Sequence, residues 1–93
     1  ADIKTVGVIG AGQMGSGIAH VCAVAGYDVL LNDLSRERID SGVDLIGRNL
    51  TRQVARGLLD HQAAQAALPR IRPAESINVL VEADLVIEAA TED

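Results

Sequence analysis

Six consecutive residues, Gly10-Ala11-Gly12-Gln13-Met14-Gly15, and one carboxylate, Asp33, have the types and spacing to hold a phosphorylated nucleotide. The string fits G-x-G-x-x-G, in which each glycine has its own task. Gly10 permits a tight turn out of a strand, Gly12 lets a pyrophosphate approach the backbone, and Gly15 lets the following helix pack close. The N-terminus of that helix offers unpaired N–H groups and a partial positive charge to the phosphates. Asp33 follows about 20 residues later, where a carboxylate accepts hydrogen bonds from the adenosine ribose. It would repel a 2′-phosphate, which favours NAD over NADP, although Arg36 and Arg38 stand near enough to accommodate that phosphate. The plainer alternative is that the glycines only make turns and Asp33 caps a helix. The strand, glycine turn, helix and second strand all fall in register, which argues for the nucleotide site.

These residues need elements to position them. Ile3 to Ile9 is short, mostly β-branched and bounded by glycine, which predicts a buried strand. Met14, Ile18, Val21, Cys22 and Ala25 recur at helical spacing over Gln13 to Ala25, so they are expected to form the buried face, with Met14 packed under the loop. Gly26 sits where a helix ends, and Gly17 is expected to ease close packing. Tyr27 to Asn32 then reads as a second buried strand, parallel to the first. Ser35 is a helix cap, followed by Ile39, Val43, Ile46, Leu50 and Val54 on one face. Gly57 interrupts this helix, and Asp60 is expected to cap a second, shorter one through Ala67. The pair reads as an antiparallel helical hairpin. Ile71 and Arg72 predict a brief strand cut short by Pro73, and Asp84 to Ala89 a third buried strand. Asn78 to Glu82 is ambiguous between strand and helical turn. The fold class is α/β: a partial Rossmann, doubly wound parallel sheet with a βαβ start and a helical hairpin after its second strand, in strand order 3-2-1-4 if Ile71 and Arg72 form a strand.

Composition narrows the chemistry further. With 93 residues, one domain is the limit. There is no Phe or Trp and one Tyr, Tyr27, so bases cannot stack on a ring platform and an adenine must be gripped by aliphatic walls. A net charge of -5 argues against a general nucleic-acid partner. Cys22 is alone, so it forms no internal disulfide or zinc cluster, reads as a core residue, and fits a reducing, cytoplasmic setting. No secretory leader and no apolar run of membrane-spanning length is visible.

Other polar residues have competing readings. Glu88 and Glu92 flank the end of the third strand, where ligands bind in parallel sheets; they serve equally as solvated acids, and Glu88 needs a partner if buried. Arg48, Arg52 and Arg56 recur every four residues on the long helix. They form a solvated face paired with acids such as Asp44, or a stripe for substrate phosphates. His20 reads as a packed or surface residue rather than a base, and His61 as exposed.

Val8-Ile9-Gly10-Ala11-Gly12-Gln13-Met14-Gly15-Ser16-Gly17-Ile18-Ala19 resembles the opening of the 3-hydroxyacyl-CoA dehydrogenase family, of the 3-hydroxybutyryl-CoA type. The resemblance continues through Gly26-Tyr27-Asp28-Val29 to Asp33, through Asn49 to Gly57, and through Ala83 to Ala89 with Glu92. It implies NAD-dependent interconversion of an (S)-3-hydroxyacyl-CoA and a 3-ketoacyl-CoA. It places Gly10, Ala11, Gly12, Gln13, Met14 and Gly15 on the pyrophosphate, Asp33 and Leu34 at the adenine ribose, and Ala89 and Glu92 near the nicotinamide side. It makes Arg52 and Arg56 candidate contacts to the phosphates of the CoA substrate, and makes Asn78 to Glu82 a short helical turn. The family's His–Glu acid–base pair, its His in a His-Phe-x-Asn-Pro-like segment, has no counterpart here, so no catalytic residue is assigned and none is expected before Asp93. The expectation is therefore that residues 1–93 are the N-terminal part of a dinucleotide-binding domain, inactive alone. The full-length protein is expected to be a homo-oligomer with a C-terminal substrate domain. The other readings are a free-standing nucleotide-binding module and a dehydrogenase for free hydroxyacids.

Overall fold

A run such as Val6-Gly7-Val8 has no polar side chain to solvate, so it is stable only with both faces covered. The computed structural model describes residues 2–90 and buries all three at the centre of strand β1 (Thr5–Ile9). The chain then forms α1 (Gln13–Val24), β2 (Asp28–Asn32), α2 (Arg36–Ala55), α3 (His61–Ala67), β3 (Ile71–Ala74) and β4 (Leu85–Glu88). Short 3-10 turns occupy Leu68–Arg70 and Ile77–Glu82, the latter as the resemblance implied. All pairings are parallel in the order β3-β2-β1-β4, with Thr5 opposite Asp28, Val6 opposite Leu85 and Val29 opposite Ile71.

Side chains alternate across the sheet. Val6, Val8, Val29 and Leu31 face a core completed by Ala19 and Ala23 of α1 and Ile39, Ile46 and Leu50 of α2. Leu30 faces the other way, against Ala74 and Leu80. Gly7 makes room on that side, since a Cβ there would lie 2.9 Å from Leu80 Cδ2.

Four local expectations are corrected. The buried face of α1 is Gly15, Ser16, Ala19, His20 and Ala23, not the larger residues at Met14, Ile18 and Val21. The row nearest the sheet, Gly15, Ala19 and Ala23, is small because the helix lies close to it; His20 is buried toward Gln53 of α2, Ile18 and Cys22 are partly buried at the margin of the core, and Val21 is left 68% exposed. Gly17 meets nothing within 4 Å at its Cβ position, so it does not serve close packing. Strand β3 runs through Pro73 rather than stopping before it. An edge strand tolerates proline because its outer N–H groups have no strand to pair with. Strand β4 is not buried: Leu85 and Val86 are 43% and 45% exposed, and among the described residues β4 has a neighbour only on the β1 side.

The helical hairpin is antiparallel, with Leu50, Val54, Ala64 and Leu68 lining the groove between its arms. Ser35 caps α2 by accepting the Arg38 N–H at 3.2 Å. Asp60 occupies the corresponding position of α3, but its side chain makes no capping bond. Two polar contacts lash the hairpin region to α1: His20 Nε2 with Gln53 Oε1 at 2.8 Å, and Arg70 Nη1 donating to the Ala23 carbonyl at 2.7 Å. The second satisfies a carbonyl of the last turn with a cation, where the helix dipole favours one. Cys22 is partly buried, and burial pushes its thiol pKa up, away from a reactive thiolate.

Asp84 ties the start of β4 to the start of β1, accepting the N–H groups of Lys4 at 2.9 Å and Thr5 at 3.0 Å. Those two bonds hold its carboxyl below the usual range. A depressed folded-state value stabilises the fold at pH above the unfolded-state value, near 4, and is lost as pH falls through the folded one. Asp84→Ala should lower the melting temperature at pH 7 and shrink the drop in melting temperature between pH 7 and pH 3. An unaltered acid-side profile in thermal melts would remove this role.

Candidate functional site

The carboxyl ends of β1, β2 and β4 open on one cleft of about 780 Å³, lined by Gly10, Gly12, Gln13, Met14, Asp33, Leu34, Arg38, Ala89 and Ala90. This volume lies within the range of small-molecule and cofactor sites. Gly10 leaves β1 with φ +105°, a conformation open to glycine, and a Cβ there would lie 2.8 Å from Ala90 N. Its N–H donates to the Asn32 carbonyl at 2.8 Å, and Ala89 N–H donates to the Ile9 carbonyl at 2.8 Å. The three strand ends are thus fixed to one another at the floor of the cleft. Asn32, itself buried, extends this to the fourth by donating from Nδ2 to the Ala74 carbonyl at 2.6 Å.

Helix α1 starts without a capping side chain. Its first bond of this kind is Ser16 N–H to the Gly12 carbonyl at 2.8 Å. The N–H groups of Gln13, Met14 and Gly15 belong to the set a helix leaves unpaired, and they have no partner among the described residues. At Gly12, which lines the cleft, a Cβ would meet nothing within 4 Å, so the backbone is open to a ligand. Gly15 is different: a Cβ there would run into the carbonyl of Gly10. It sits behind the cleft wall and sets the approach of helix to loop.

Asp33 organises the loop as well as facing the cleft. Its Oδ2 accepts the Ala11 N–H at 2.7 Å and its Oδ1 accepts the Leu34 N–H at 2.6 Å. It does not cap α2; Ser35 does. Ala11 is buried, and its N–H is already committed to Asp33, which separates it from the open N–H groups of Gln13 and Met14. Met14 is 53% exposed and forms a wall of the cleft instead of packing beneath the loop, while Leu34 is 88% exposed beside it. Ala89 is buried at the end of β4. Glu88 is exposed and needs no partner, and Glu92 lies outside the described residues.

Arg52 and Arg56 stand apart from this cleft. They line a separate groove with His20, Asn49, Gln53 and Leu58. Arg38 and Arg52 are four turns apart on α2, roughly 21 Å at 1.5 Å per residue. Among the described residues, Arg48, Arg52 and Arg56 form no ion pair, so the expected pairing with acids such as Asp44 is not made.

Two supporting residues escaped the sequence reading. Ser16 donates its hydroxyl to the Ala11 carbonyl at 2.9 Å, and Gly42 of α2 faces the same carbonyl. A Cβ on Gly42 would lie 2.8 Å from both that oxygen and Ser16 Oγ. The available signal was glycine inside an amphipathic helix, which points to a close packing contact; α2 has two, and of these Gly42, not Gly47, makes one.

Residues 5–93 match the family described as "3-hydroxyacyl-CoA dehydrogenase, NAD binding domain". The chain is 55% identical over 92 residues to a 3-hydroxybutyryl-CoA dehydrogenase of Bradyrhizobium diazoefficiens, covering 99% of this chain and 31% of that protein. It is 45% identical over 91 residues to a 3-hydroxyadipyl-CoA dehydrogenase of Escherichia coli, covering 98% and 19% respectively. The crystal structure of (S)-3-hydroxybutyryl-CoA dehydrogenase from Ralstonia eutropha superposes with a TM-score of 0.93 at 41% identity, over 99% of this chain and 32% of that one. The chain therefore spans about a third or less of the length of these relatives.

Gly42→Ala should push α2 off the loop. We expect a loss of about 1–3 kcal/mol in stability, from forcing atoms into a closed contact, together with weaker nucleotide binding. Urea denaturation and a nucleotide titration would measure both. A neutral effect on stability would show that the α2–loop contact yields at no cost.

Proposed function

From the premise that the chain belongs to the 3-hydroxyacyl-CoA dehydrogenase family, as its NAD-binding domain, we propose that it is the N-terminal, cofactor-holding part of an enzyme that interconverts (S)-3-hydroxyacyl-CoA and 3-ketoacyl-CoA. The observation that carries this is the cleft itself. Unpaired N–H groups at the start of α1, an open backbone at Gly12 and the Asp33 carboxylate converge on it. In this reading the backbone of Gly12, Gln13 and Met14 binds the pyrophosphate, helped by the positive end of the helix. Gly10, Ala11 and Gly15 shape that turn. Asp33 accepts from the adenosine ribose, with Leu34 and Met14 as apolar walls. Ala89 and Glu92 belong toward the nicotinamide side. Bound NAD supplies the hydride acceptor.

The protein atoms here bind and orient; they do not move the hydroxyl proton. Transfer of hydride from a secondary alcohol needs a base within hydrogen-bond reach of that hydroxyl. His20 is committed to Gln53 on the far part of α1, and His61 lies in the hairpin. We assign the acid–base pair, acyl-chain recognition and homo-oligomer contacts to the remainder of the full-length protein, working in the cytoplasm. No helix among the described residues is long and apolar enough to cross a membrane.

Arg52 and Arg56 are proposed to meet the phosphates of the CoA portion. Two exposed guanidinium groups, one turn apart and without acidic partners among the described residues, suit a flexible polyphosphate.

Fluorescence titration with NADH tests the cofactor reading. Asp33→Ala should weaken binding about tenfold or more, the cost of removing a charged acceptor from a paired donor. Unchanged affinity would take the ribose role away from Asp33. In the full-length enzyme, Arg52→Ala with Arg56→Ala should raise KM for the acyl-CoA substrate several-fold, on the order of the 0.5–1 kcal/mol expected for exposed charge pairs, with kcat little altered. Identical KM values would return that stripe to a solvated helix face.

A further inference from the structure

We propose that Ser16 is a positioning residue for the cofactor: its buried hydroxyl fixes which way the Ala11–Gly12 peptide faces, and so turns the Gly12 N–H toward the pyrophosphate. This rests on the NAD-binding reading above and adds to it a side chain that does not itself touch the ligand.

The Ala11 carbonyl is drawn into the junction of α1 and α2. It accepts the Ser16 hydroxyl at 2.9 Å, and among the described residues no other group donates to it. Ser16 is 2% exposed and Ala11 6%, so little water reaches either residue. Gly42 leaves the room that this carbonyl occupies, since a Cβ there would lie 2.8 Å from its oxygen. No cis peptide bond occurs among the described residues. In a trans peptide the N–H points opposite to the carbonyl, so the Gly12 N–H points away from the helix junction. Gly12 lines the cofactor cleft, and its N–H has no partner among the described residues.

The two neighbouring peptides are held by other means. The N–H of the Gly10–Ala11 peptide donates to Asp33 at 2.7 Å. The carbonyl of the Gly12–Gln13 peptide accepts the Ser16 backbone N–H at 2.8 Å. Only the middle peptide depends on a hydroxyl side chain.

Without that hydroxyl the Ala11 carbonyl would stay buried with no donor, which costs more than the bond itself contributes. Gly12 makes an escape accessible. Half a turn of the peptide carries Gly12 from φ -73° into the positive range, which glycine enters without a Cβ penalty. In the turned state a carbonyl oxygen, not an N–H, faces the cleft and repels an anion. The glycine that admits the pyrophosphate is therefore also able to present the wrong group to it, and Ser16 prevents this.

The test is titration of the protein and its variants with NADH, ADP and adenosine, with circular dichroism to establish folding. Hydrogen exchange at the Gly12 amide is followed by NMR with and without ADP. Ser16→Ala should lose about tenfold in affinity for NADH and ADP. It should keep its affinity for adenosine, which carries no phosphate, and lose the slowing of Gly12 exchange that ADP brings to the unsubstituted protein. Ser16→Cys, of similar size with a weak S–H donor, should fall between the two, and carries the test if the Ala variant does not fold. Ile71→Val, a core truncation on the far edge strand, should lower stability and leave all three affinities unaltered. The proposal is overturned if the folded Ser16 variants bind ADP as the unsubstituted protein does. It is equally overturned if adenosine weakens as much as ADP, or if Ile71→Val reproduces the loss, since the effect would then be one of general stability. Failure of the folded, unsubstituted protein to bind NADH and ADP would instead sink the cofactor reading beneath it.

Discussion

The contact between Gly15 and the carbonyl of Gly10 is the constraint from which most of this structure follows. A helix can be brought that near to the end of a strand only if nothing larger than hydrogen stands between them. Once α1 sits there, its sheet-facing row must be small, which is why Ala19 and Ala23 are buried while Val21 is not. The loop bulges toward α2, so α2 needs a glycine of its own, Gly42, where it passes the Ala11 carbonyl. Large residues occupy the interface on either side of it, at Ile39 before and at Ile46 and Leu50 after. Volume, rather than hydrophobicity, is what limits this three-way junction of loop and two helices.

That ordering explains what the amino-acid sequence disclosed and what it withheld. The alternation of apolar runs with helical periodicity was enough to read strand, turn, helix, strand and the hairpin; the 3-2-1-4 order came with the doubly wound fold, on condition that Ile71 and Arg72 form a strand. Glycines with an obligatory conformation are legible because few other residues can replace them. The buried face of α1 was misread, because periodicity scores size and apolarity, whereas this interface selects Gly, Ser and Ala. In the sequence alone Pro73 reads as a strand terminator; its actual effect depends on whether the strand has one neighbour or two, a fact of topology. The openness of β4 has the same origin. An apolar run states that a strand can be covered on both sides, and says nothing of which neighbours cover it.

The site shows a similar division. Asp33 was identified by its distance from the glycines, but its position between two backbone N–H donors and the Arg38 guanidinium is a property of segments meeting in the fold. Arg36 and Arg38 are two residues apart and chemically identical on paper. Arg36 donates to Asp40 and Glu75 at 2.9 Å each, the latter distant in sequence, whereas Arg38 forms only a longer, 3.9 Å ion pair with Asp33. Asp33 also illustrates economy of design: the same carboxylate that faces the cleft fixes the loop that forms it, so the binding surface and its scaffold are not separable at that residue.

Pro73 has a wider meaning for the sheet as a whole. A parallel sheet is extended by backbone donors and acceptors presented along a free edge. At β3 the proline deletes one of those donors, and the strand is only four residues long. At β4 no strand pairs with the outer row among the described residues, and apolar Leu85 and Val86 lie beside it. The two edges are therefore chemically unlike, one closed to further strands and one receptive. The sheet carries a direction of growth, which restricts where another segment, or a second molecule, can join it in register.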